Sequence, residues 1–266
     1  MSGTAVHFWA WNLAITAAAV VAFMSVVFVI GTVRERHRTV DVAWGAAFAL
    51  VALVGFALSS GHADAGRRIL VTALTAIWGL RLAVHIALRG RGEPEDPRYE
   101  AFLARAKGNR TWFAYTRVYL LQAALVWFVS LPVQTVQYGL RPLSPVAVIG
   151  GCVWAVGIFF EAVGDWQLLR FKADPAHKGA LMSTGLWRYT RHPNYFGDAC
   201  AWWGLYLLGA DQWLALCTIL SPLAMTWLLT RGSGQRLTEA RMIRTRPEYA
   251  EYAARTSGFI PRPPRA

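Results

Sequence analysis

The stretch GLWRYTRHPNYFGDACAWWGLYLL, residues 185–208, places several polar side chains directly before and inside an apolar run of membrane-helix character. These polar residues are Arg188, Arg191, His192, Asn194 and Asp198. Polar groups at the boundary of a membrane are costly to bury, so they need either water or a ligand. The function of the protein therefore depends on which of the two satisfies them.

The rest of the chain is also apolar and predicts a protein that crosses the membrane several times. Its 266 residues are 55% hydrophobic and only 16% charged, whereas soluble domains carry about a quarter charged residues. A membrane helix needs about 20 mainly apolar residues. We therefore expect an all-α fold of about seven transmembrane helices, forming one domain over residues 1–266. The predicted spans cover roughly 8–32, 40–59, 69–88, 113–136, 146–169, 194–209 and 213–229.

The distribution of positive charge predicts the orientation in the membrane. The loops after the first, third and fifth spans, together with the tail, hold 22 Lys and Arg residues, and the opposite side holds 3. Because Lys and Arg accumulate in cytoplasmic loops, we expect the N-terminus outside and the C-terminus inside the inner (plasma) membrane. The same pattern explains the net charge of +12 by topology and by contact with anionic membrane lipids, which argues against nucleic-acid binding.

Several site classes are excluded by spacing. The three cysteines form no C-x-x-C pair and the six histidines form no H-x-x-H-H cluster, so we expect neither a disulfide framework nor a metal site. No G-x-G-x-x-G follows a strand, which excludes a Rossmann domain. Any dinucleotide would have to be bound by helix ends and loops.

The motif RHPN predicts the start of a helix beside a site for an anion. Pro193 cannot donate a backbone hydrogen bond and suits the first position of a helix. A helix N-terminus next to the three basic side chains before it attracts phosphate or pyrophosphate. Asn194 and Asp198 lie four residues apart and share one face. The alternative is that the arginines only set the topology, but Asp198 one turn inside the span favours a ligand.

Other charged residues fall inside or beside predicted spans. Glu161 and Asp165 share a face of the fifth span, and Lys172 lies just beyond it. Carboxylates within a membrane are functional by default; the alternative is internal pairing with Arg81 or with arginines of the tail. Arg81 lies in the middle of the third span and must meet a carboxylate, a phosphate or a water-filled cavity. We expect it to face a cavity that holds a cofactor.

Asp41 and the segment RGRGEPEDPRYEAF each allow two interpretations. Asp41, at the cytoplasmic end of the second span, is either a helix cap or an acid that polarises a substrate. Arg98 and Tyr99 either belong to a solvated loop or close over a nucleotide with a guanidinium and a stacking ring.

RHPNYFGD, with GLWRYTRHPNY around it and Y..Y....SGFIP after it, resembles the C-terminal region of steroid 5α-reductases and membrane sterol reductases. The match is closest to the bacterial branch of that superfamily. DVAWG, WGLRL, EDPRY, GDWQ and TSGFIP extend the resemblance over most of the chain. It implies seven spans and NADPH-dependent reduction of a carbon–carbon double bond conjugated to a ketone. The residues that it implies for cofactor binding are Arg81, Asp165, Tyr189, Asn194 and Asp198.

The sequence departs from the steroid enzymes at the substrate end. Those enzymes bind the ketone with a Glu on the second span and a Tyr on the third, where this chain has Asp41 with Trp44, and Trp78. A steroid substrate is therefore in doubt. The shorter R-H-P-x-Y also resembles isoprenylcysteine carboxyl methyltransferases, which use S-adenosylmethionine and carry paired glutamates in the tail. This chain has Glu239 alone. A third alternative is a non-enzymatic lipid-binding or transporter-like protein.

Together, these observations predict an NADPH-dependent reductase that acts on a lipophilic, steroid-, isoprenoid- or fatty-acyl-like substrate at the cytoplasmic face. Asp41 or Glu161, in protonated form, is the predicted proton donor. The predicted cofactor-binding residues are Arg81, Arg98, Tyr99, Asp165, Lys172, Arg188, Tyr189, Arg191, His192, Asn194, Tyr195 and Asp198.

Overall fold

A computed structural model describes residues 3–232 and 234–265, and these residues form helices joined by turns. No strand occurs within these two ranges, which confirms the predicted all-α class. Six helical segments in the described chain are long and apolar enough to cross a membrane. They are Val6–Val33, Thr39–Leu58, Ala65–Arg89, Arg110–Val129, Pro145–Ala173 and Trp213–Thr245.

The predicted sixth span, residues 194–209, is short, and the structure agrees. Its helix, Pro193–Leu207, has 15 residues, whereas a straight span needs about 20. The count of seven spans and the side on which each terminus lies therefore stay predictions.

The helices follow the predicted apolar runs closely. In chain order they are α1 (Gly3–Val33), α2 (Thr39–Leu58), α3 (Ala65–Arg89), α4 (Pro97–Leu103), α5 (Arg110–Ala114), α6 (Leu120–Val129), α7 (Leu131–Val136), α8 (Pro145–Ala173), α9 (Pro193–Leu207), α10 (Trp213–Leu216), α11 (Leu220–Trp227), α12 (Gln235–Thr245) and α13 (Tyr249–Arg255). π-helical turns cover Tyr115–Tyr119 and Leu228–Gly232, and 3-10 turns cover Pro175–His177, Gly185–Arg188 and Cys217–Ile219.

The predicted span over residues 113–136 is wrong at both ends. The helical segment begins earlier, at Arg110, because Asn109 caps it by accepting a hydrogen bond from the Trp112 amide at 2.9 Å. It ends at Val129, and the separate helix α7 follows with Pro132 in its first turn. Proline has no N–H to continue the hydrogen-bond ladder of the preceding helix.

The chain divides into two compact units. Unit 1 comprises Met1–Ser144 and Leu208–Ser221, and unit 2 comprises Pro145–Leu207 and Pro222–Ala266. That the chain forms a single domain stays a prediction.

In unit 1, α2 and α3 pack closely through facing glycines. A Cβ on Gly45 would collide with the carbonyl oxygen of Gly79, and a Cβ on Gly79 would collide with that of Gly45. Small residues let membrane helices approach each other at backbone distance. This contact brings the start of α2 beside the end of α3, where the candidate site of unit 1 lies.

Buried polar side chains join α1 to α7 within unit 1. The Gln134 Oε1 atom accepts hydrogen bonds from Thr16 Oγ1 at 2.6 Å and from Asn12 Nδ2 at 3.2 Å. The Gln134 amide nitrogen donates to Ser130 Oγ at 3.0 Å. All four residues are fully buried. Because unsatisfied polar groups are costly in an apolar interior, this network fixes how the two helices pair.

A second buried contact in unit 1 holds the turn after α9. Arg67 is fully buried and donates to both carboxylate oxygens of Asp211, each at 2.8 Å. The same guanidinium donates to the carbonyl oxygens of Arg141 at 3.1 Å, of Pro142 at 2.7 Å and of Leu208. The short turn between the predicted sixth and seventh spans is therefore anchored by a buried arginine.

Unit 2 is built on the pairing of α8 with α9. A Cβ on Gly197 of α9 would lie 2.5 Å from the carbonyl oxygen of Gly157, and a Cβ on Gly204 would lie 2.7 Å from that of Gly150. The two glycines of α9 lie seven residues apart, as do the two of α8, so the contact recurs after two helical turns. This close pairing fixes the start of α9 against the second half of α8.

Candidate functional site

In unit 1, Asp41, a predicted proton donor, contacts Tyr99, a predicted cofactor-binding residue. The Tyr99 hydroxyl donates to Asp41 Oδ1 at 2.5 Å, and the Arg98 guanidinium lies 3.6 Å from Asp41 Oδ2. Asp41 lies in the first turn of α2, where Arg38 is the capping residue. Asp41 is therefore the acceptor of a phenol rather than a helix cap, and the structure brings three predicted residues together.

These contacts determine the ionisation of Tyr99 and of Asp96, the residue that caps α4. Burial, with the charge and hydrogen bond of Asp41, raises the pKa of Tyr99 well above its usual range. Hydrogen bonds from Arg98 lower the pKa of Asp96, because they favour its charged form. At neutral pH the phenol thus keeps its proton and Asp96 is a carboxylate.

The loop before α4 is tied to the start of α2. The Glu95 carboxylate accepts hydrogen bonds from the backbone amides of His37 and of Arg38, the latter at 3.1 Å. Arg38 Nη1 in turn donates to the carbonyl oxygen of Pro94 at 2.6 Å. An anion at a helix N-terminus satisfies amides that have no partner within the helix. The contacts hold α4, and with it Tyr99, beside Asp41.

A cavity of about 570 Å³ lies beside this pair. Its size is in the range of about 300–1,000 Å³ that small-molecule sites occupy. Four arginines from two segments, the α1–α2 turn and the end of α3, contribute to its wall together with two carboxylates. The lining residues are Arg34, Arg36, Arg38, Thr39, Asp41, Val42, Ile86, Ala87, Arg89, Gly90 and Asp96.

In unit 2, α9 begins at Pro193, as the RHPN motif predicts. The Asn194 side-chain amide donates to Asp165 Oδ1 of α8 at 3.2 Å. Asp165 is 6% exposed, so this carboxylate is buried beside the start of α9. The structure therefore brings together Asn194 and Asp165, two of the residues that the resemblance assigns to cofactor binding.

Arg191 and His192 bind a residue of the tail. The carboxylate of Glu239 accepts from Arg191 Nε at 2.8 Å and from Arg191 Nη2 at 3.1 Å. The His192 Nε2 atom lies 3.0 Å from Glu239 Oε1. Arg191 Nη1 donates to the carbonyl oxygens of Ala253 and Thr256 at 2.9 and 2.7 Å. The pair therefore has an internal carboxylate as its partner, because α12 folds back onto the start of α9, and its contact with a phosphate stays a prediction.

The last residues of the described chain form a strap along the segment before α9. The Arg191 amide donates to the Ser257 carbonyl and the Arg262 amide donates to the Tyr189 carbonyl, both at 2.9 Å. Thr190 Oγ1 donates to the Phe259 carbonyl at 2.8 Å. Residues of the TSGFIP motif thus support the segment that carries the RHPN motif. Tyr189 itself is 43% exposed.

The other predicted site residues differ in position and exposure. Glu161, on α8, is 2% exposed, and Tyr195 stacks on the ring of His192 with centroids 5.0 Å apart. Asp198 lies on α9, one turn after Asn194. Arg188 and Lys172 are exposed. Arg81 lies within α3 of unit 1 and is half-buried.

The comparisons with known proteins point to one family. The family described as Protein of unknown function (DUF1295) matches residues 27–256. This chain belongs to the DUF1295 family. That family is associated with steroid 5α-reductase-like proteins, which agrees with the resemblance of the motifs.

One curated relative of this DUF1295 chain is Uncharacterized protein C594.04c of Schizosaccharomyces pombe. It is 35% identical over 97 residues, which cover 35% of this chain and 27% of the relative. The chain thus matches about a quarter of the length of this relative. No solved structure matches the DUF1295 chain.

The sequence interpretation missed two parts of these sites. Glu239 was considered only as half of a glutamate pair, although an acid among the arginines of a basic tail is itself a signal for an ion pair. The arginines of the cavity wall were counted as topology signals. Their arrangement around one cavity depends on α2 and α3 packing together, which spacing along the chain does not reveal.

Proposed function

We propose that this DUF1295 protein is a membrane-embedded, NADPH-dependent reductase of a carbon–carbon double bond conjugated to a carbonyl in a lipophilic substrate. The observation that carries the proposal is the Asp41–Tyr99 hydrogen bond at the start of a membrane helix, where Asp41 lines the cavity. A phenol that keeps its proton, next to a carboxyl group, is a suitable donor to a carbonyl oxygen on which negative charge develops. Tyr99 thereby moves from the predicted cofactor-binding set to the reacting pair.

The roles of the chain's own residues follow from this pair. Asp41 holds the Tyr99 hydroxyl by a hydrogen bond of 2.5 Å, and in the proposed reaction that hydroxyl turns to the carbonyl oxygen of the substrate. Arg98, which lies 3.6 Å from Asp41, stabilises the carboxylate. We assign the donor role to the Asp41–Tyr99 pair rather than to Glu161, because a protonated phenol there is hydrogen-bonded to a carboxyl group that lines the cavity.

NADPH, when bound, supplies the reducing equivalent. The donor set of unit 2 fits the cofactor in part. Asn194 and Asp165, 3.2 Å apart, together with Asp198, can bind hydroxyl and amide groups of a ribose or carboxamide. Glu239 binds both Arg191 and His192, so a phosphate at these side chains would have to displace its carboxylate.

The proposed orientation follows the charge asymmetry of the loops. Seven spans, with the N-terminus outside and the C-terminus in the cytoplasm of the inner membrane, would open the site to cytoplasmic NADPH. This arrangement is the one expected for the bacterial branch of the 5α-reductase superfamily. A lipophilic substrate would then enter from the membrane, whose lipids are the immediate partners of the chain.

The proposal is tested by following NADPH oxidation by the purified chain with a panel of lipophilic enones. Tyr99→Phe and Asp41→Asn should each lower kcat at least about 100-fold, the usual effect of losing a general acid. Tyr115→Phe is the matched control, because its hydroxyl pairs with Ser25 at 2.9 Å away from the cavity. Equal activity of all three variants would contradict the assignment.

A second function is favoured by the contact between Glu239 and His192. In an S-adenosylmethionine-dependent methyltransferase of the isoprenylcysteine type, the tail glutamate and the R-H-P-x-Y motif act together. Thermal stabilisation of the purified chain by S-adenosylmethionine, without stabilisation by NADPH, would support this alternative. We expect the opposite result.

A further inference from the structure

We propose that the arginine wall of the cavity in unit 1 is a binding site for a phosphate group, held by Arg34, Arg36, Arg38 and Arg89. The site goes beyond the proposed reductase, because none of these four residues belongs to the reacting pair or to the cofactor contacts of unit 2. The ligand class is a phosphomonoester or phosphodiester that reaches the end of a membrane helix.

Four arginines from two separate segments converge on this cavity. Three of the arginines alternate in the short turn between α1 and α2, and the fourth lies in the last turn of α3. The packing of α2 on α3 brings the two segments to opposite parts of one wall. A cavity of about 570 Å³ has room for a headgroup or for the phosphates of a nucleotide.

The charges of the cavity lining also favour an anion. The two carboxylates of the wall both lie near Arg98, which is not one of the four arginines: Asp96 forms an ion pair with it at 2.7 Å, and Asp41 lies 3.6 Å from it. The ion pairs of the described chain do not include Arg34, Arg36 or Arg89. The lining, with four arginines and two carboxylates, therefore has an excess of positive charge.

The hydrogen-bond donors of this lining are guanidinium groups, which suit a phosphate. Guanidinium groups match phosphate oxygens through paired hydrogen bonds. Arg38 is fixed at the wall, because its Nη1 atom donates to the Pro94 carbonyl at 2.6 Å. The amides at the α2 N-terminus are already satisfied by Glu95, so side chains rather than the helix end would bind the ligand.

Two sources carry this chemistry: the phosphates of a dinucleotide and the headgroup of an anionic phospholipid. In the first case the inference rests on the proposed reductase, and in the second it stands without it. The phosphates of cytoplasmic lipids lie at the depth predicted for this end of α2 and α3.

The experiment uses the full chain with two probes. Inorganic pyrophosphate is titrated into the detergent-solubilised protein by calorimetry, and lipid retained from phosphatidylcholine nanodiscs with and without phosphatidic acid is identified by native mass spectrometry. The test variant is Arg36→Gln/Arg89→Gln. The matched control is Arg105→Gln/Lys107→Gln, which removes the same charge from exposed positions outside the cavity. If the double variant does not fold, the single variant Arg36→Gln is used.

We expect at least one probe to bind the wild-type chain. Its affinity should fall about tenfold or more for each arginine removed, as for the loss of a hydrogen bond to a charged group, and should not change in the control. Loss of pyrophosphate binding identifies a soluble phosphate ligand, and loss of phosphatidic acid retention identifies a lipid headgroup. Absence of both bindings, or equal losses in the control, overturns the inference. NADPH oxidation by the Asp41→Asn variant tests the reductase separately, so either proposal can fail alone.

Discussion

Replacing Asp211 by asparagine tests the buried ion pair that anchors the turn at residues 208–212. The Arg67 guanidinium is fully buried and the side chain of Asp211 is 14% exposed. Both carboxylate oxygens accept from Arg67 at 2.8 Å. Asparagine keeps one oxygen but turns an N–H₂ group toward a cation that has lost its counter-ion.

The magnitude follows from the burial. Removing one partner of a buried ion pair destabilises a protein by about 3–5 kcal/mol. Three backbone carbonyls also accept from Arg67, and Asp211 is partly solvated, so we expect the lower end, about 3 kcal/mol. The free energy of unfolding is measured in mixed micelles at neutral pH. Asp174→Asn, an exposed carboxylate that pairs only with its own turn, is the control and should change stability by less than about 0.5 kcal/mol.

The pH dependence gives a second readout of the same pair. Burial raises the pKa of Asp211, but hydrogen bonds from Arg67 and Ser144 and the charge of Arg67 outweigh it, and the net pKa is lowered. A carboxyl group with a lowered pKa contributes stability that is complete above its unfolded pKa of about 3.9. That contribution is lost as the pH falls through the lower folded pKa. The Asn variant should lack this part of the acid dependence, and a loss below about 1 kcal/mol at neutral pH would refute the reasoning.

Three single substitutions test the contacts described in unit 2. Gly197→Val should prevent the close packing of α9 on α8 and lower the unfolding temperature strongly, because its side chain would meet the Gly157 carbonyl; Gly151→Val, which has open space around it, should not. Glu239→Gln should release the tail, seen as faster cleavage of α12 in limited proteolysis, and unchanged cleavage would contradict the role given to this carboxylate. Asn194→Ala should weaken NADPH binding about tenfold with little loss of stability, measured by titration calorimetry.

The predictable part of this protein is local. The start of α9 at Pro193 and the capping of α3 by Asp64, which accepts from the Arg67 amide at 2.8 Å, follow from backbone chemistry within a few residues. The apolar runs likewise predicted the long helices from local composition. A membrane helix satisfies its own backbone hydrogen bonds, so composition and length alone decide it.

The site contacts were less predictable because they join distant segments. Asp41 and Tyr99 are 58 positions apart, and Arg191 and Glu239 are 48 apart. Each of these side chains was recognised as unusual or as a motif residue, but charge and spacing do not specify which partner it meets. The contact of Arg191 with a carboxylate of the tail was not predicted for this reason.

The most direct test of the central claim is transfer of label from NADPH deuterated at C4 of the nicotinamide. The purified chain is incubated with this cofactor and a lipid extract, and the products are analysed by mass spectrometry. We expect a reduced lipid that carries one added deuterium, formed by the wild type and by Tyr115→Phe but not by Tyr99→Phe. A lipid that instead gains a methyl group when S-adenosylmethionine is supplied, with no deuterium transferred from NADPH, would contradict the account.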